Sequence, residues 1–212
     1  MVPPSRSHQR GLIMQNELVP VLPADLHLLP NDSALLEELR QPRLALFWGA
    51  NTPTRTLLAL LTALAVRGSS VRVFDGGNRF DGYFVARLSR RLSTHPRAIL
   101  GRIHLSRAFT CFQLAELIEN APAEPEPLFV LDMLTTFYDE SVPLRDTERL
   151  LMTTIAHLKR LASVGPVIVG AREPRALVQE RWDLLDRLQV AADAAWLLRA
   201  PEGVDVEQPR LF

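Results

Sequence analysis

Two stretches of this 212-residue chain hold residue types that handle phosphate and its counter-ions. The first reads FWGANTPTRT and spans residues 47–56. Set on the P-loop spacing G-x-x-x-x-G-K-[ST], Gly49 takes the first glycine and Thr56 the closing hydroxyl, with Ala50, Asn51, Thr52 and Pro53 between. Thr54 falls on the second glycine and Arg55 on the lysine. In an intact loop the backbone N–H groups curl around phosphate, and the helix that follows adds its positive end. Here Pro53 removes one N–H, Thr54 resists a glycine conformation, and Arg55 keeps the charge on a longer, planar head. The second stretch, LFVLD at residues 128–132, is four apolar residues and an acid. That is the Walker B pattern, whose carboxylate holds Mg²⁺. Gly49–Thr56 is therefore the expected nucleotide loop, and Thr56 with Asp132 the expected metal-side pair. A helix-capping threonine and an acid where a strand leaves the core are the plainer account of the same residues.

Other chemistry is thin. Cys111 is the one cysteine, so no internal disulfide exists, and no Cys/His spacing suggests zinc. No G-x-S-x-G nucleophile motif occurs. His104, His157 and the tryptophans Trp48, Trp182 and Trp196 read as packed or surface residues. Of 24 basic residues only Lys159 is a lysine, so a site that needs lysine has one candidate. The 24 acids balance them, which excludes a uniformly basic nucleic-acid coat but not a local patch. Residues 79–107 carry Arg79, Arg87, Arg90, Arg91, Arg97, Arg102 and Arg107 against Asp81 alone, whereas residues 116–148 carry nine acids against Arg145. Arg87, Arg90 and Arg91 share one helix face by their spacing. They are the candidate patch for DNA phosphate or for a protein partner, with a solvated face as the plainer alternative.

The elements that must position these residues follow from the apolar pattern. Residues 1–30 hold five of the sixteen prolines and no helical period, which predicts an extended or partly ordered arm. A short helix follows, capped by Asn31, Asp32 or Ser33, with Leu35, Leu36 and Leu39 on one face. From residue 43, short apolar runs alternate with helical stretches. The predicted strands are 44–48, 71–74, 103–106, 128–131, 167–169 and 194–198. The predicted helices are 56–67, 81–92, 112–119, 146–162 and 174–188, with Pro96 barring continuation of the second and a capping box at Thr110 and Gln113. Strands that are apolar throughout, joined by helices, predict a largely parallel sheet covered on both faces in one domain over 31–212. Ligands of such sheets sit at the carboxyl ends of the strands. Those segments are Gly49–Thr56, Asp75–Phe80, Arg107–Thr110, Asp132–Ser141 and Gly170–Pro174. No run reaches the roughly 18 apolar residues of a membrane span, and the N-terminus lacks a signal-peptide core. The expectation is a cytoplasmic protein.

From Leu44 to about Arg199 the chain resembles the RecA/RadA-type recombinases and their ATPase-domain relatives, KaiC-like proteins included. The resemblance rests on the loop at Gly49–Thr56, VFDGGNRFDGYFVARL, IHLSRAFTCFQL, LFVLDMLTTF, the long helix, VIVGAREP and the closing AAWLLR. It implies a RecA-like P-loop NTPase fold. It also implies ATP with Mg²⁺ as ligands, assembly with a RecA-like or other repair protein or with further copies, and DNA as a second candidate partner. The family's catalytic glutamate aligns with Gly77, between Gly76 and Asn78, so the lysine, its preceding glycine and the glutamate are all replaced. Hydrolysis is expected to be absent or weak, and ATP and Mg²⁺ to bind weakly or not at all. The family's DNA-facing segments would hold Asp139, Glu140 and Asp146, then Arg172, Glu173, Arg175, Glu180 and Arg181, a poor match to a polyanion. The implied function is a non-catalytic or weakly catalytic recombinase paralogue that scaffolds DNA recombination or repair. The alternatives are a working DNA-dependent ATPase with Arg55 for lysine, and a nucleotide-sensing regulator unrelated to DNA.

Overall fold

The structure, a computed structural model, describes residues 33–50, 53–174 and 180–198. The arm at 1–30 lies outside them, as do Asn31 and Asp32, two of the proposed caps of the first helix, and Asn51, Thr52 and Arg175.

Six parallel strands form one sheet in the order β3-β2-β4-β5-β1-β6. They are β1 (Leu44–Gly49), β2 (Val71–Asp75), β3 (Ile103–Arg107), β4 (Leu128–Leu131), β5 (Val167–Arg172) and β6 (Ala194–Leu197). The four inner strands are almost wholly buried, which is why three of them carry unbroken apolar runs, while Arg72 interrupts β2; β3, at one edge, is partly exposed. Helices α1 (Ser33–Glu38), α2 (Thr54–Val66), α3 (Gly82–Leu92) and α4 (Pro96–Leu100) pack on one face, around Phe47, Leu60, Val85 and Ile99. Helices α5 (Cys111–Asn120), α6 (Leu144–Ala162) and α7 (Trp182–Ala191) cover the other, around Leu114, Leu151, Ile155 and Leu184. Trp196 of β6 stacks on Phe47 with ring centroids 4.7 Å apart. Among the described residues, no helix is long and apolar enough to cross a membrane.

Several boundaries differ from the sequence expectation. Helix α2 begins at Thr54, two residues ahead of its predicted start at Thr56. Pro53 stands at its N-cap position without a side-chain cap. Pro96 stops α3 as expected but also opens α4 at its first turn, where a missing N–H costs nothing. Of the predicted helix over 174–188, residues 175–179 lie outside the described residues, and the described helix runs Trp182–Ala191, three residues past the predicted end. Arg181 is buried and donates to the carbonyls of Phe137 and Val142 and to Thr147 Oγ1 at 2.6–3.2 Å. It ties down the segment after β4, so it is no part of a DNA-facing surface. The capping box holds: Thr110 accepts from the Gln113 N–H at 3.2 Å, and Gln113 Oε1 accepts from the Phe109 N–H at 2.9 Å.

A candidate anion site at the carboxyl end of the sheet

Strands β2 and β4 lie side by side and end alike, Val73-Phe74-Asp75 and Val130-Leu131-Asp132. Both aspartates are fully buried, and each solves the problem of a buried charge differently. Asp75 accepts the backbone N–H groups of Arg79 at 2.8 Å and Phe80 at 2.9 Å, which folds the Gly76–Asn78 turn back over the strand. Arg107, last in β3, faces its Oδ2 through Nε at 3.7 Å. Asp132 instead receives side chains. Arg79 Nε donates to Oδ2 at 3.3 Å, and Arg172 Nε, from the end of β5, faces Oδ1 at 3.8 Å. Asp132 Oδ1 is buried and accepts no hydrogen bond.

Backbone geometry sharpens this corner. Asp132 sits in the left-handed region with φ 48°, which turns the chain sharply out of β4. Gly77 packs against it: a Cβ there would lie 2.5 Å from Asp132 Oδ2 and 2.6 Å from its Cβ. Position 77 therefore has no room for a side chain unless Asp132 shifts. Gly170 of β5 makes the other close approach. A Cβ on it would collide with Leu57 of α2, and would lie 3.6 Å from Pro53 Cγ and 3.7 Å from the Asp132 amide nitrogen. Pro53, just before α2, and Asp132 thus both lie close to Gly170 of β5.

The remaining predicted site residues divide. Gly49 is buried at the end of β1 and Ala50 is exposed. Thr54 has a buried hydroxyl without a hydrogen-bond partner. Thr56 is half-buried and makes no hydrogen bond to Asp132 among the described residues. Arg55 is exposed, and its guanidinium lies 6.0 Å from the centre of the Phe84 ring, on α3 rather than at either aspartate. Arg87, Arg90 and Arg91 are exposed on α3. The basic run at 79–107 is not one surface: Arg79 and Arg107 turn to the buried aspartates, and Arg102 donates to the Ala65 carbonyl at 2.9 Å. Comparison with known proteins finds no matching family model and no matching curated sequence.

The fit to Mg²⁺ is poor. A carboxylate bracketed by two guanidinium groups already has its counter-charge, and a divalent cation beside them would meet like charge. Among the described residues no three His, Cys, Asp or Glu side chains gather as a metal site. Nearby, Tyr138 donates its hydroxyl to the Arg172 carbonyl at 3.0 Å. Burial pushes the Tyr138 phenol well above its ordinary value, and the negative charge of Asp132 adds to the rise.

The sequence reading singled out Asp132 but passed over Arg79, Arg107 and Arg172 as its and Asp75's companions. The signal was present: two neighbouring strands end in the same apolar-apolar-acid pattern, and two other strands end in arginine.

Proposed function

We propose that this chain is a RecA-like protein of P-loop type that does not hydrolyse nucleotide and works as a docking scaffold, a recombinase paralogue acting in DNA recombination or repair. One observation carries the loss of hydrolysis. Asp132 is held by Arg79 and Arg172, and Gly77 leaves no space for a residue that orients water. Phosphoryl transfer depends on a positioned nucleophile and on charge stabilisation, and both depend on groups absent or engaged here. The parallel sheet, with the start of α2 and Asp132 at one carboxyl-end point, supports the family reading. Docking is supported by the open edge at β3. Leu105, Phe109 and Phe112 are exposed there, within the IHLSRAFTCFQL stretch that carries the resemblance most specifically. The assignment to DNA repair comes from that resemblance.

The purified chain is expected to show negligible ATP turnover with Mg²⁺, with or without DNA. A rate near about 1 s⁻¹, the low end for ordinary enzymes, that disappears in Asp132→Ala overturns the reading.

A further inference from the structure

We infer that Arg79, Arg107 and Arg172, seated on the buried carboxylates of Asp75 and Asp132, form a metal-independent site for a short chain of phosphoryl groups. A docking scaffold needs no ligand here, so this inference goes beyond the proposed function and stands or falls separately.

Charge is the first argument. Three guanidinium groups face two carboxylates, leaving one positive charge in surplus among these five groups. The second is how each arginine is used. A guanidinium that serves only to neutralise a carboxylate commonly closes on it with two parallel N–H bonds. Here each of the three meets its aspartate through Nε. Their Nη groups donate no hydrogen bond to protein among the described residues. The side chains of Arg79 and Arg107 are each 44% exposed and that of Arg172 is 21% exposed, so they lie between the buried acids and solvent. The aspartates act as anchors that orient donors for something else.

Position is the third argument. Helix α3, after β2, packs on one face of the sheet and α6, after β4, on the other. Adjacent strands whose helices leave on opposite faces open a crevice at their carboxyl ends, where ligands of parallel sheets bind. Asp75 ends β2 and Asp132 directly follows β4, so both stand at that switch between neighbouring strands. The Nη groups offer planar, paired donors suited to phosphoryl oxygens. Several cations gathered on two neighbouring acids favour a ligand with several adjacent charges over a single carboxylate. Guanidinium groups already stand beside both carboxylates, so the arginines supply the counter-charge themselves. Magnesium should then compete for the ligand rather than assist it.

The test uses the full chain, inorganic tripolyphosphate as probe, and titration calorimetry in EDTA. Binding is expected in EDTA, and excess Mg²⁺ should weaken it several-fold. Arg79→Gln and Arg107→Gln should each lower affinity about tenfold or more, while Arg87→Gln, out on α3, should change it less than twofold. Arg107 ends an edge strand and is half-exposed, so its variant remains informative if Arg79→Gln impairs folding. Two further arms sort the source of the phosphates. Equal affinity for ATP and tripolyphosphate assigns the site to the phosphate chain alone; tighter ATP binding assigns it to a nucleoside triphosphate, and both uphold the site. No binding in EDTA at millimolar probe, binding only with Mg²⁺, or equal loss in Arg87→Gln overturns it. So does a site that takes single-stranded DNA in an Arg79-dependent way and ignores tripolyphosphate.

Discussion

Gly77 decides more about this protein than any charged residue does. Its missing side chain lets Asp132 lie directly beneath the turn that carries Arg79. Gly77→Ala should therefore be costly. The added methyl has only the buried carboxylate to displace, and overpacking of this kind costs about 1–3 kcal/mol. Urea denaturation would show it as a lower midpoint at unchanged slope; a midpoint within error of the parent would mean that the turn relaxes freely. Sequence reasoning found Gly77 by its absence of a glutamate and Asp132 by its place after four apolar residues. It did not find their contact, which joins residues more than fifty apart and exists because Asp75 folds the intervening turn back through two backbone N–H groups. Arg181 shows the same limit. Its charge suggested a surface, yet it is spent inside the molecule on two carbonyls and a hydroxyl.

Strands were the most legible elements, and their ends the least. Four inner strands could be read directly because burial on both faces leaves them mostly apolar. Strand β5 runs on to Arg172, past the apolar run, because its last residues still pair with Trp48 and Gly49 of β1. The segment after β4 is tied to that end by Tyr138, whose hydroxyl donates to the Arg172 carbonyl. This link gives a pH signature. Burial first, and then the charge of Asp132, raise the Tyr138 phenol in the folded state. A raised native value means that its contribution to stability is whole below about pH 10, the unfolded phenol's value, and is lost as pH climbs towards the native value. Thermal midpoints measured from pH 8 to 11 should fall at the alkaline end, and less so in Tyr138→Phe. An identical alkaline fall in that variant would place the loss elsewhere.

At the scale of the whole molecule, zero net charge hides a division of labour among arginines. Some serve the buried aspartates, Arg181 braces a loop, and Arg87, Arg90 and Arg91 stand exposed on α3. The count and the clustering were legible in the sequence; the division was not, since nothing local distinguishes an arginine that turns inward. Replacing Arg87, Arg90 and Arg91 together with glutamate should leave the fold intact, because all three are exposed on one helix. If α3 is a docking face, the variant loses its protein partner in a pull-down from native extract while far-UV circular dichroism is unchanged. If the arginines meet DNA instead, a filter-binding assay loses DNA and the partner is retained. A folded variant that changes neither leaves the three arginines as a solvated face.

Strand β1 lies between β5 and β6 and has no other neighbour in the sheet. Its Leu44 pairs with Val167, more than a hundred residues later. During synthesis at about 5–20 residues per second, the apolar stretch LALFWG waits roughly 6–25 s for its first partner strand to be made. Through that interval its backbone groups have no partner strand, an exposed edge of the kind that aggregates when chaperones do not capture it. A chain truncated just before β5 should accordingly be insoluble, however complete its first four strands are.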